Sequence, residues 1–372
     1  MAKGSFFRYS MRCNLLVTTR LHTVNRLPNK ITEVFSLKMT VILSGFLVLS
    51  AGAACAQDLN GAGATFPNPI YSRWFTEYSR QHPGVQINYQ SVGSGAGIRQ
   101  VSEGTVDFGA SDAVMTEQQI NEAKIKVTAI PTVLGAVVPI YNIPGVNAEL
   151  KFSQDAIAGI YLGKITKWND PYIAHENPGV NLPDKPILTV HRTDGSGTTY
   201  IFTDYLSKVS PEWEKNVGRN AAVKWPSAGI GGKGNEGVAG LVEHTPYSIG
   251  YVELVYAEAN KIPFGLIRNA SGKFVKASTA GVTAAAAADA KMIPADYRVS
   301  ITNAPGAESY PISSFTWLLI PTHSADAAKG KVLKEFLYWM LDHGEAEATS
   351  MTYAPLPKAV ADRLRGTIAG LQ

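Results

Sequence analysis

From residue 58 onward, short runs of β-branched and apolar residues alternate with segments whose apolar side chains recur every three or four positions. That alternation constrains the fold more than any other feature, because strands followed by helices bury both faces of a sheet and specify an α/β protein. Val85-Gln86-Ile87-Asn88-Tyr89 alternates apolar and polar residues and reads as a strand. The runs Ala136–Tyr141, Ile187–Val190, Ser248–Val252 and Thr316–Ile320 read the same way. Between them, Ile70, Trp74 and Tyr78 are spaced by four, with Pro67 at a plausible first turn. Further helices are expected over Thr198–Lys208 and Val332–Leu341, and the alanine run at 284–288 reads as helix or as a weakly packed surface segment. No repeat and no long linker interrupts the pattern, and 372 residues suffice for two domains.

Three segments rich in glycine and small hydroxyl residues each precede a helical pattern. They are Gly61-Ala62-Gly63-Ala64-Thr65-Phe66-Pro67, Gly93-Ser94-Gly95-Ala96-Gly97 and Asp194-Gly195-Ser196-Gly197-Thr198-Thr199. A helix N-terminus leaves backbone N–H groups unpaired at the positive end of the helix dipole. Glycine lets that backbone approach a ligand, and Ser or Thr adds hydroxyl donors. One such segment is usually an ordinary helix cap. Three in one chain point to anion capture. Arg192, at the end of an expected strand and two residues before Asp194, offers a forked contact to an oxyanion, with a surface ion pair as the plainer reading. Asp112 closes the run Val106-Asp107-Phe108-Gly109-Ala110-Ser111-Asp112, where a turn cap is the plainer reading.

Other chemistries find little support. The formal charge of +4 is concentrated at the N-terminus: seven of the 34 basic residues but only one of the 30 acidic residues precede Gln57. The body therefore carries two more acidic than basic side chains, without the basic excess of a nucleic-acid-binding domain. The seven histidines contain no pair at metal-ligand spacing. Neither Ser94 nor Ser196 sits in a nucleophile elbow, and no Walker motif is present. Gly229–Gly234 matches a dinucleotide fingerprint, but Trp225-Pro226-Ser227 before it is not a convincing strand.

Residues 1–56 read as an export leader. Lys38 precedes a short apolar core, Val41–Leu49, and Ala54-Cys55-Ala56 fits the small-x-small rule for cleavage after Ala56. The apolar run is too short to span a bilayer. Residues 1–38 are long for a signal n-region, and Met39 offers an alternative start. Both cysteines, Cys13 and Cys55, lie in this leader, so the body has no disulfide. Gly52 makes Cys55 a poor lipoprotein site.

At the same glycine-rich segments the chain resembles a known family, the periplasmic phosphate-binding protein of the Pst-type ABC transporter. The resemblance runs from about Leu59 to the C-terminus. It rests on Gly61–Pro67, Thr105–Asp112, Ile160–Ile165, Arg192–Thr198, Lys224-Trp225-Pro226, Gly231–Asn235 and Ile249–Val252, in that order. It implies a type II periplasmic-binding-protein fold: two α/β lobes joined by a hinge, with the ligand in the cleft between them. It places the first lobe at 57–140 and 310–372 and the second at 141–309, with crossings near Ile140-Tyr141-Asn142 and Tyr310-Pro311-Ile312. Carried over residue by residue, it implies that phosphate is held by Thr65, Phe66, Ser94, Asp112, Arg192, Ser196, Gly197 and Thr198, with Asp194 pairing with the arginine. It further implies delivery of inorganic phosphate to the membrane permease of an ABC importer and its ATPase subunits, in the periplasm, with no cofactor, no metal, no nucleic acid and no catalysis.

These residue types suit such a ligand. Phosphate at neutral pH both accepts and donates hydrogen bonds. Backbone N–H groups, hydroxyls and Arg192 donate, whereas an ionised Asp112 only accepts. A protonated phosphate satisfies that carboxylate and sulfate does not, and a buried group left unsatisfied costs about 1–3 kcal/mol. The alternatives are a receptor of the same fold for another oxyanion such as sulfate or molybdate, a secreted phosphatase, and an extracellular phosphate scavenger or adhesin.

Overall fold

The computed structural model describes residues 57–288 and 293–372. The expected leader, with its cleavage site and both cysteines, lies outside the described residues. Eleven strands are present among the described residues: β1 (Gln57–Gly63), β2 (Val85–Ser91), β3 (Phe108–Ser111), β4 (Val127–Asn142), β5 (Lys151–Phe152), β6 (Leu188–Arg192), β7 (Gly229–Gly232), β8 (Ser248–Glu253), β9 (Leu266–Arg268), β10 (Phe274–Val275) and β11 (Ser313–Pro321). Eight of them form one sheet in the order β2-β1-β3-β11-β4-β8-β6-β7. The short strands β10, β9 and β5 form a second sheet.

One long strand organises the large sheet. The first part of β4, Val127 to Ala136, pairs antiparallel with β11, and the remainder, Val137 to Asn142, pairs antiparallel with β8. On the β11 side, β1 runs parallel to both β2 and β3. On the β8 side, β6 runs parallel to both β8 and β7. Two half-sheets therefore share β4. Its apolar run at 136–141 reads as a strand in the sequence, whereas its first nine residues, 127–135, were not singled out there. The register of β11 shifts between Thr316 and Trp317, opposite Val133 and Pro131. Thr132 is the extra residue of a β-bulge, and the bulge lets Pro131 occupy a strand interior.

The expected helices form, with their apolar stripes inward. Asn68–Gln81 buries Ile70, Tyr71, Trp74, Phe75 and Tyr78, which is the i, i+4 face visible in the sequence. Phe75 and Tyr78 meet Phe336 of the helix Ala327–Trp339 at ring-centroid distances of 5.3 Å each. The second half-sheet has its own aromatic core, in which Phe202 stacks on Tyr251 at 4.5 Å and meets Tyr161 at 4.8 Å. The alanine run is helical, within Thr279–Ala288. Gly229–Gly232 is itself the edge strand β7, so the fingerprint match is not a strand-to-helix phosphate turn.

Candidate functional site

The three glycine-rich segments lie at strand ends where the half-sheets face each other. After β1 the chain turns through Ala64, Thr65 and Phe66 into the helix Asn68–Gln81. Three tyrosine hydroxyls donate to three successive carbonyls of this turn: Tyr89 to Ala64 at 2.7 Å, Tyr256 to Thr65 at 2.5 Å and Tyr353 to Phe66 at 2.6 Å. These bonds fix the peptide planes of the turn and so the directions of its N–H groups.

The second segment opens the helix Ser94–Glu103. Ser94 is buried, and its Oγ accepts from the backbone N–H groups of Asp112 and Gly197, each at 3.1 Å. One hydroxyl thus joins the end of β3 to the third segment, 103 residues away. Asp112 is also buried. Its Oδ1 accepts from Thr316 Oγ1 at 2.8 Å, and its Oδ2 accepts from Ser94 Oγ at 3.4 Å. Burial pushes its carboxyl up to about 7, against the opposing effects of the Thr316 bond and the Arg192 charge. Thr316 precedes Trp317, which pairs with Ser111 across β11 and β3, so the antiparallel register sets it opposite Asp112.

Arg192 ends β6, and its side chain is almost wholly buried. It forms a forked pair with Asp194, Nε to Oδ1 at 2.8 Å and Nη2 to Oδ2 at 2.5 Å, while Nη1 reaches Thr198 Oγ1 at 3.3 Å. Burial works to raise Asp194, but the bonds and charge of Arg192 and the N–H of Gly234 outweigh it and hold the carboxyl below the usual range. The pair fixes the guanidinium plane. Ser196 caps the helix Gly197–Val209 by accepting from Thr199 N at 3.0 Å, so for this residue the ordinary capping role is real.

Two glycines are required by close approach. A Cβ on Gly197 would collide with Asp112 Oδ2 and Ser94 Oγ. Gly93 has a φ of 98°, and a Cβ there would strike Asp194 and Gly195. All nine residues named from the sequence therefore converge: Thr65, Phe66, Ser94 and Asp112 from the first half-sheet, and Arg192, Asp194, Ser196, Gly197 and Thr198 from the second.

Four neighbours of these residues were not singled out in the sequence. Asn235 closes the run Gly231–Asn235, yet nothing in the run sets it apart. Its side chain contacts both Thr65 and Thr198. Thr316 and Tyr256 sit in ordinary strand and helix patterns. Glu253 ends β8, fully buried, with Oε2 accepting from Val255 N at 2.7 Å and Oε1 unpartnered among the described residues. Burial pushes this carboxyl well above the usual range. An apolar groove lined by Met115, Ile120 and Trp317 contains none of these residues. Among the described residues no cluster of metal-ligating side chains occurs.

The arrangement is a set of preorganised N–H and O–H donors, one guanidinium already paired, and one carboxyl acceptor. It fits a small tetrahedral oxyanion that carries at least one proton.

Comparison with known proteins agrees in family and fold. The model of the PBP superfamily domain matches residues 49–343. The phosphate-binding protein PstS of Pasteurella multocida is 44% identical over 311 residues, covering 83% of this chain and 89% of its own length. A high-affinity periplasmic phosphate-binding protein solved with bound phosphate superposes with a TM-score of 0.68 at 22% identity, over 83% of this chain and 93% of that one. An ABC-type phosphate transport receptor from Vibrio cholerae gives a TM-score of 0.52 at 19% identity, over 80% of this chain and all of that one.

Proposed function

The chain belongs to the family of PstS phosphate-binding proteins within the PBP superfamily, and from that premise we propose that it binds inorganic phosphate in the cleft and delivers it to the permease of an ABC importer. Its fold is the two-lobed α/β fold of periplasmic phosphate-binding proteins. Relatives at this level of identity are receptors named for binding, so the protein is a transport receptor and not an enzyme.

The ligand groups in this reading are Thr65, Phe66, Ser94, Asp112, Arg192, Ser196, Gly197 and Thr198, with Asp194 orienting Arg192. The observation that carries it is Asp112, a buried acceptor set among donors from both half-sheets. A proton on phosphate meets that carboxyl. Sulfate has none to give, which disfavours a sulfate or molybdate receptor on the same fold. The lobes are proposed as 57–140 with 310–372, and 141–309. The change of β4 from one pairing partner to the other supports this division. Among the described residues no helix is long and apolar enough to cross a membrane. We place the protein in the periplasm, exported by a signal peptide with its apolar core at Val41–Leu49 and cleaved after Ala56.

Calorimetry on protein stripped of ligand by partial unfolding and refolding tests the reading. Tight one-to-one phosphate binding, undisturbed by excess sulfate, is expected. A folded sample that takes up no phosphate would overturn the ligand assignment.

A further inference from the structure

The side-chain amide of Asn235 has one orientation open to it. Its Oδ1 accepts the backbone N–H of Glu253 at 3.0 Å, which turns Nδ2 toward the cleft. There Nδ2 donates to Thr65 Oγ1 at 2.7 Å and to Thr198 Oγ1 at 3.2 Å. Each threonine oxygen receives a second donor. For Thr65 it is the backbone N–H of Asn235 at 3.2 Å, and for Thr198 it is Arg192 Nη1 at 3.3 Å. A hydroxyl oxygen has two lone pairs and one proton. With both lone pairs taken, each hydroxyl is left only its proton to offer. All three residues are buried, so water does not compete for these positions.

Resting on the phosphate reading above, we propose that Asn235 is a positioning residue that makes the Thr65 and Thr198 hydroxyls obligate donors and thereby sets the rotational register of the bound anion. An unprotonated ligand oxygen is accepted at either threonine. A protonated one would bring a donor against a donor there, and is directed to the carboxyl of Asp112. Asn235 acts without touching the ligand, by fixing where two protons point. The same amide spans Thr65 of the first half-sheet and Thr198 of the second, so register and lobe closure are set by one group.

The test measures phosphate affinity by calorimetry in the wild type, Asn235→Ala, Thr198→Val and the double variant. Asn235→Ala is expected to weaken phosphate binding about tenfold. Its effect should shrink at least threefold when Thr198 has no hydroxyl to orient, because part of the role acts through that group. Equal fold-losses in both backgrounds would mean mere structural support and would overturn the proposal. The near-isosteric Asn235→Asp guards against a folding defect in the alanine variant. Its carboxylate accepts the threonine protons instead of filling their lone pairs, and a loss of about a hundredfold in a variant that still unfolds cooperatively is expected. Near-wild-type binding by folded Asn235→Asp would overturn the assignment. Failure of the wild type to bind phosphate would instead bring down the functional reading, and this inference with it.

Discussion

At the scale of single residues, the proposed ligand site turns on Asp112. Asp112→Asn keeps the shape but replaces the acceptor of a ligand proton with an amide that can also donate. The preference for phosphate over sulfate should fall by about tenfold or more, the equivalent of roughly 1.4 kcal/mol or more. Competition calorimetry reads this directly, and unchanged selectivity would remove the acceptor role. The same carboxyl makes a pH prediction. Burial raises its folded pKa to about 7 from an ordinary 3.8. Above pH 7 the group is charged in both folded and unfolded chains, and its burial penalty is fully felt. Between about 7 and 4 only the folded state holds the proton, so stability rises as pH falls. Glu345, pushed up to about 8 by burial, contributes with the same sign at slightly higher pH. In phosphate-free buffer, the gain in melting temperature from pH 8 to pH 5 should therefore be smaller for Asp112→Asn than for the wild type.

At the scale of elements, the site depends on how closely three helix starts approach one another. The N–H of Gly197 meets Ser94 Oγ at 3.1 Å, and Gly95 N donates to Gly195 O at 2.9 Å across the cleft. Gly197→Ala places a methyl group against Asp112 and Ser94 and holds the two segments apart. We expect phosphate affinity to fall at least a hundredfold, while the melting temperature without phosphate changes little because the half-sheet cores are untouched. Isothermal titration and thermal melts on one preparation check both parts. The helices themselves were legible, since their stripes repeat every three or four residues. The bulge at Thr132 was not, because the cross-strand register that defines it belongs to a partner nearly two hundred residues away.

At the scale of the whole molecule, β4 is shared by both half-sheets while the proposed ligand groups are divided between them. In the proposed two-lobe division this is where a hinge would let the lobes close on the anion, and Tyr256 to Thr65 is a bond between the two parts. Small-angle scattering should show a smaller radius of gyration with saturating phosphate than without it. An unchanged radius would argue for a rigid cleft. Phosphate at a hundred times its dissociation constant should also stabilise the protein by about 2.7 kcal/mol, through preferential binding to the folded chain.

The sequence alone determined the α/β class, the inward faces of the helices and the three glycine-rich segments suited to an anion. Periodicity and local backbone chemistry are properties of neighbouring residues. Its resemblance to a known family added the nine residues that the fold then brought together. Only the tertiary structure decided the rest. Thr316 reached Asp112 because it precedes Trp317, which pairs with Ser111 where β11 runs antiparallel to β3, and Tyr353 reached Phe66 from 287 residues away. Asn235, on a helix, acquired its orientation from the N–H of Glu253 at the end of β8. Such contacts depend on which strands pair and in what register, and the hydrophobic pattern of a single strand does not specify its partner.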